Sequence, residues 1–144
     1  MAGGTNIWIS SEVKTDPKAI FNLRPLYLLV HPFCVAEGVG LIPWSPLARG
    51  LLARPWQDEK TKRWFAGDKN EVIVKRVEEV AEKKQCEMGA VAMAWLLQKG
   101  ACPIVGLNSI ERIEATLETL DVELSGDEMN YLERAYHPLA SQAI

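Results

Sequence analysis

The chain has 144 residues, 48% of them apolar and 24% charged, with a formal net charge of −3 at pH 7. That length and balance suit one soluble globular domain large enough to bury a core. The slight acidic excess excludes a nucleic-acid surface, which needs a basic one. No run approaches the roughly 18 apolar residues of a membrane-spanning helix, so no membrane partner is expected.

Cys34, Cys86 and Cys102 form no CxxC pair and no metal-spaced set with His31 and His137, so reduced, mostly buried thiols are expected and no metal. The opening Met-Ala-Gly-Gly-Thr has neither the charged nor the apolar part of a signal sequence, and a cytoplasmic location is expected. Ile7-Trp8-Ile9 has strand content and Asp16-Pro17 turn content. Residues 21–31, Phe-Asn-Leu-Arg-Pro-Leu-Tyr-Leu-Leu-Val-His, have strand content interrupted by Pro25. From His31 the chain reads as the end of a helix stopped at Gly38, a usual residue just past a helix C-terminus.

Val39 to Ile42 is a short apolar run expected of a buried strand. Pro43 and Pro46 cannot donate ladder hydrogen bonds, so the strand should end near Trp44. Ser45-Pro46-Leu47-Ala48-Arg49-Gly50 then reads as a loop offering a hydroxyl and free backbone amides. In a parallel α/β fold such a loop, at the C-terminal end of a strand, faces ligands. Gly50 to Asn70 is polar and irregular, with Pro55-Trp56 and the cluster Lys60, Lys62 and Arg63. From Glu71 to Lys84, Ile73, Val77, Val80 and Ala81 fall at helical spacing with charges between them, an amphipathic helix on a core. Gly89 to Gln98 is apolar nearly all round, so a helix there is buried on several sides and Trp95 is core.

Pro103-Ile104-Val105-Gly106 is a second short strand. A helix follows, opened by Asn108 with Glu111 three residues on or by Ser109 as cap, with Ile113, Leu117 and Leu120 on one face. Ser125-Gly126-Asp127-Glu128 is a capping box that opens a last helix to about Tyr136, closed by His137-Pro138. Strand, loop, paired helices, strand and helices in this order predict parallel pairing. Two loops then converge. The first offers Trp44, Ser45 and the backbone to Gly50; the second offers Gly106, Asn108, Ser109 and a helix N-terminus, with Arg112 one turn in. A helix N-terminus and a forked arginine suit a phosphorylated ligand, although a capped helix after a strand is commonplace and Arg112 also reads as a surface residue.

Gly-Val-Gly-Leu-Ile-Pro-Trp-Ser-Pro-Leu-Ala-Arg-Gly (residues 38–50) resembles the seventh-strand segment of the aldo-keto reductases, in the branch of aryl-alcohol dehydrogenases and potassium-channel β subunits. The likeness continues through Ala94-Trp95-Leu96-Leu97, Pro103-Ile104-Val105-Gly106 and Glu111 to Thr116, over residues 31–138; 1–30 match poorly and 139–144 form a tail. The resemblance implies an α/β fold, the C-terminal part of a (β/α)8 TIM barrel with a helical C-terminus. It implies NADPH as cofactor, held by Ser45, Pro46, Leu47, Ala48, Arg49 and Gly50 and by Arg112 on the adenosine phosphate. Thr61-Lys62-Arg63 resembles an element that reaches over the pyrophosphate, in a loop shorter than its relatives; a solvated charged loop reads equally well. Tyr27 stands near the place of an aromatic that stacks on the nicotinamide. The family's Glu-Asn adenine grip is Ala115-Thr116 here, which implies looser adenine binding at Thr116.

The family reduces aldehyde and ketone carbonyls by hydride transfer from NADPH, with an Asp, Tyr, Lys and His tetrad on earlier strands. No matching Asp-x-x-x-x-Tyr segment occurs here, and Tyr27, Tyr131 and Tyr136 do not match the catalytic tyrosine. The expectation is therefore a cofactor-binding C-terminal fragment without turnover of its own, with a carbonyl substrate only if the barrel is complete. Its open strand edges predict self-association or a complementing chain. A non-catalytic nucleotide-binding or interaction module is the alternative, and a helical scaffold without nucleotide the third reading.

Overall fold

A computed structural model describes residues 32–58 and 71–135. The expectations for Ile7 to Ile9, Tyr27, His31, Arg63, Tyr136 and His137 lie outside these residues. Four helices dominate: α1 (Glu71–Lys84), α2 (Met88–Gln98), α3 (Ile110–Glu118) and α4 (Gly126–Arg134). A 3-10 turn covers Ala48–Ala53, and a second, Thr119–Asp121, prolongs α3.

The core follows the helical periodicity of the sequence. On α1, Ile73, Val74, Val77, Val80 and Ala81 are buried. They meet Val91, Ala92 and Ala94 of α2, Leu51, Leu52 and Trp56 after the first loop, and Leu124 and Leu132 of the last segment. Burying each large apolar side chain of this kind contributes about 1.5–3 kcal/mol. On α2, Met88 to Ala94 are buried except Gly89, whereas Trp95, Leu96 and Leu97 are half-buried. Trp95 is therefore a rim residue, its indole N–H donating to Glu133 Oε1 at 3.2 Å. An indole at a core edge keeps its one donor satisfied in this way.

Helix ends carry the signatures that their residues dictate. Ser125 Oγ accepts from the Glu128 amide at 3.2 Å, and Glu128 Oε2 accepts from the Ser125 amide at 2.7 Å, a complete capping box for α4. The helix stops at Arg134, short of Tyr136. Residues 32–36 are helical and Gly38 adopts φ +67°. There the Val39 amide donates to Cys34 O (2.7 Å) and the Gly38 amide to Val35 O (3.3 Å), which is the Schellman pattern. Gly100 closes α2 in the same way.

The two apolar runs pair in parallel. Leu41 bridges Ala101 and Trp44 bridges Ile104, with the Cys102 amide on Leu41 O (2.8 Å) and the Ile104 amide on Pro43 O (2.9 Å). The register passes through Pro43 because its carbonyl faces the partner and its ring nitrogen is not asked to donate. These isolated bridges are the extent of strand pairing among the described residues. Helix α3 differs from the others, with no buried residue; Ile110, Ile113, Leu117 and Leu120 are all exposed.

Candidate functional site

Parallel pairing makes both chains leave from one edge. After Trp44 comes the loop at Ser45, and after Ile104 comes the segment to Ser109 and α3. An antiparallel pair would have sent them to opposite edges. Of the residues expected to bind, Trp44 is exposed, Ser45, Pro46, Leu47 and Gly50 are half-buried, and Ala48 is fully buried. Arg49, Gly106, Asn108 and Arg112 are exposed, with Ser109 and Thr116 half-buried.

The first loop is wound tightly. Ser45, Ala48 and Arg49 adopt φ of 56°, 50° and 56°, followed by Gly50 at 90°. Left-handed conformations at three non-glycine residues are costly, and surrounding contacts must hold them. The Ala48 amide donates to Ser45 O (2.9 Å), the Gly50 amide to Leu47 O (2.9 Å) and the Arg49 amide to Ser45 Oγ (3.3 Å). The backbone amides of Ala48 to Gly50 are thus not free, contrary to the expectation from sequence. A loop this tight satisfies its donors internally, because a buried Ala48 cannot leave its amide unpaired. The Ser45 oxygen is engaged within the loop by the Arg49 amide, and its own O–H is what it has left to donate.

The second loop ends in a regular cap. Ser109 is the N-cap of α3, its Oγ accepting from the Arg112 amide at 3.4 Å. Arg112 is the third residue of the helix, so its exposed guanidinium stands one turn from the N-terminus. Thr116 donates its hydroxyl to Arg112 O at 2.7 Å and so bonds back onto its own helix. Glu111, read from the sequence only as part of the helix start, also matters here. The Ser109 hydroxyl and its own backbone amide hold the Glu111 carboxyl below the usual carboxylate range. An ionised Glu111 therefore stands at the positive end of α3, where a phosphate would otherwise sit. The signal was legible as an acidic residue in the first turn after the cap.

Elsewhere, a groove of about 430 Å³ lies between the α1–α2 turn and α3, lined by Gln85, Cys86, Glu87, Ala90, Ala115, Glu118 and Val122. None of the candidate binding residues lines it. Burial raises the pKa of the Cys86 thiol, which makes it a poor nucleophile. Among the described residues no group of three or more His, Cys, Asp or Glu is arranged to hold a metal ion. No helix among them is long and apolar enough to cross a membrane.

The sequence profile of the aldo/keto reductase family matches residues 27–137. The chain is 43% identical over 122 residues to the versiconal hemiacetal acetate reductase of Aspergillus parasiticus, covering 76% of this chain and 36% of that protein. It is 41% identical over 121 residues to a putative aryl-alcohol dehydrogenase of Schizosaccharomyces pombe, covering 77% and 34%. A crystal structure of a thermostable aldo-keto reductase in complex with epalrestat superposes with a TM-score of 0.60 at 29% identity, over 81% of this chain and 36% of that one. The chain thus spans about a third of the length of these relatives. The match over residues 27–137 makes this chain a member of the aldo/keto reductase family.

Proposed function

We propose that this chain is the NADPH-binding, C-terminal β/α portion of an aldo-keto reductase barrel, without the catalytic tetrad and without turnover on its own. The observation that carries the reading is the parallel bridging of Leu41 to Ala101 and Trp44 to Ile104, which sends two phosphate-suited segments out of one edge. The donor set fits the cofactor in part. The Arg112 guanidinium is exposed and forked, suited to the adenosine 2′-phosphate. Ser45 offers its hydroxyl toward the pyrophosphate, with the strained loop to Gly50 and Trp44 beside it, and Gly106, Asn108 and Ser109 line the second side. Glu111 opposes the fit, and its carboxylate must turn away when the phosphate arrives. Arg63 would close over the pyrophosphate.

NADPH, when bound, would supply a hydride for carbonyl reduction; these residues would bind and orient it, and the proton donor would come from the earlier strands of a completed barrel. The substrate class is an aldehyde or ketone, met only in a completed barrel, and the location is cytoplasmic. The test is quenching of Trp44 fluorescence on titrating NADPH, assigned with Trp44→Phe, beside an NADPH-oxidation assay with nitrobenzaldehyde. Saturable quenching without turnover is expected. Absence of quenching removes the cofactor reading, and family-like turnover removes the claim of inactivity. Binding without turnover also accommodates the alternative of a non-catalytic nucleotide-binding module, which differs only in needing no completing chain.

A further inference from the structure

Helix α4 is fixed to the rest of the protein differently from the chain that leads into it. Just before it, Leu124 is buried and both of its backbone groups are held by Gln98, so the chain there belongs to the core. Within α4 only Leu132 is buried, with Met129 and Tyr131 half-buried against the core. The remaining ties are polar and recur along the helix. Glu128 meets Lys84 at 3.0 Å and Glu133 meets Lys99 at 2.8 Å, and these four side chains are 25% to 28% exposed. Between them the Tyr131 hydroxyl donates to Glu79. The Arg76 guanidinium donates to Tyr131 O and lies 4.5 Å from the centre of the Tyr131 ring. The charges are complementary: α4 carries Asp127, Glu128 and Glu133 against Arg134, and the faces it meets offer Arg76, Lys83, Lys84 and Lys99 against Glu79.

We propose that α4 is an ionic strap, hinged at Ser125, that lifts off α1 and α2 when salt screens its ion pairs while the core stays folded. One buried and two half-buried side chains barely offset the ordering of a nine-residue helix, so the charged ties decide whether it stays down. The screening length falls from about 10 Å at 0.1 M salt to about 3 Å at 1 M, and pairs a quarter exposed are reached by it. A helix this short is not stable alone in water, so α4 loses its backbone hydrogen bonds once it lifts. Lifting uncovers the α1–α2 face beneath Leu132 and Tyr131, and the strap thereby couples ionic strength to the exposure of an apolar surface. No candidate cofactor residue lies on α4, so the strap is independent of the NADPH reading.

Amide hydrogen exchange of the full chain at pH 7, in about 0.05 M and about 1 M sodium chloride, decides the matter. The amides of Asn130 to Arg134 should exchange about fivefold faster at the higher salt, the change that two such ion pairs supply, while those of Val91 to Ala94 in α2 keep their rate. A chain carrying both Lys84→Gln and Glu133→Gln should show the fast exchange of α4 already at low salt and lose most of the salt dependence. Glu82→Gln, on the exposed face of α1, should change neither. Equal exchange of α4 at both salt concentrations overturns the proposal, as does acceleration of α2 in step with α4, which marks global unfolding. A double variant that keeps the full salt dependence overturns it too.

Discussion

Arg112 and Glu111 are neighbours with opposite effects on one candidate phosphate position. A hydrogen bond to a charged group contributes about 1.5–3 kcal/mol, so Arg112→Ala should weaken NADPH binding at least tenfold while changing NADH binding little. Glu111→Gln should strengthen NADPH binding a few-fold, because it removes a like charge from the helix end. Fluorescence titration with both nucleotides checks both; a weaker Glu111→Gln variant would show that the carboxylate is not in the way. Gln98 carries a structural role of similar specificity. Its amide donates to Leu124 O and accepts from the Leu124 amide, both at 2.9 Å, tying the segment before α4 to the end of α2. Gln98→Ala would leave two backbone groups of a buried residue unpaired, and about 1–3 kcal/mol of stability should be lost in urea unfolding. The arginine and the caps were legible in the sequence, because their signals lie within three or four residues. The Gln98 clamp was not, since it joins residues 26 apart.

At the scale of elements, helix ends show where local sequence and conformation agree and where they do not. Gly38 and Gly100 close their helices in the left-handed region that glycine tolerates. Gln85 closes α1 at φ 54° with the same pattern, the Cys86 amide on Ala81 O (3.1 Å) and the Gln85 amide on Glu82 O (3.2 Å). A side chain there costs about 1 kcal/mol, so Gln85→Gly should raise stability by roughly 0.5–1 kcal/mol and the melting temperature with it. Glu128 gives α4 a pH dependence. Burial pushes its carboxyl up, but the Ser125 amide, the Lys84 ammonium at 3.0 Å and the Ser125 hydroxyl outweigh this and hold it below the usual range. A depressed folded-state pKa contributes stability that is present above the unfolded value, about 4.3, and lost as pH falls through the folded one. Thermal melts should therefore weaken below about pH 4, and Glu128→Gln should flatten that part of the profile. The boundaries of α1 and the α4 cap followed from periodicity and capping chemistry. The wound backbone from Ser45 to Gly50 did not, because strain at Ser45, Ala48 and Arg49 is imposed by packing around Ala48 rather than by residue type.

For the whole molecule, the parallel direction of pairing was legible in the order of elements, but the two expected strands are reduced to the isolated Leu41–Ala101 and Trp44–Ile104 bridges among the described residues. What the sequence did not reveal is how little of α3 is covered. Periodicity identifies an apolar face but not whether anything lies against it, and Ile110 is 70% exposed. The core that remains rests on α1, α2 and the turn at Leu51, a side chain only 1% exposed. Leu51→Ala should cost about 2–5 kcal/mol, enough to unfold much of so small a core in a thermal melt. The common edge of the two loops is tested most directly by isothermal titration of the full chain with NADPH and with NADH. One site is predicted, with NADPH preferred about tenfold and the preference abolished by Arg112→Ala. No binding heat with either nucleotide, or a preference for NADPH that survives Arg112→Ala, would contradict it.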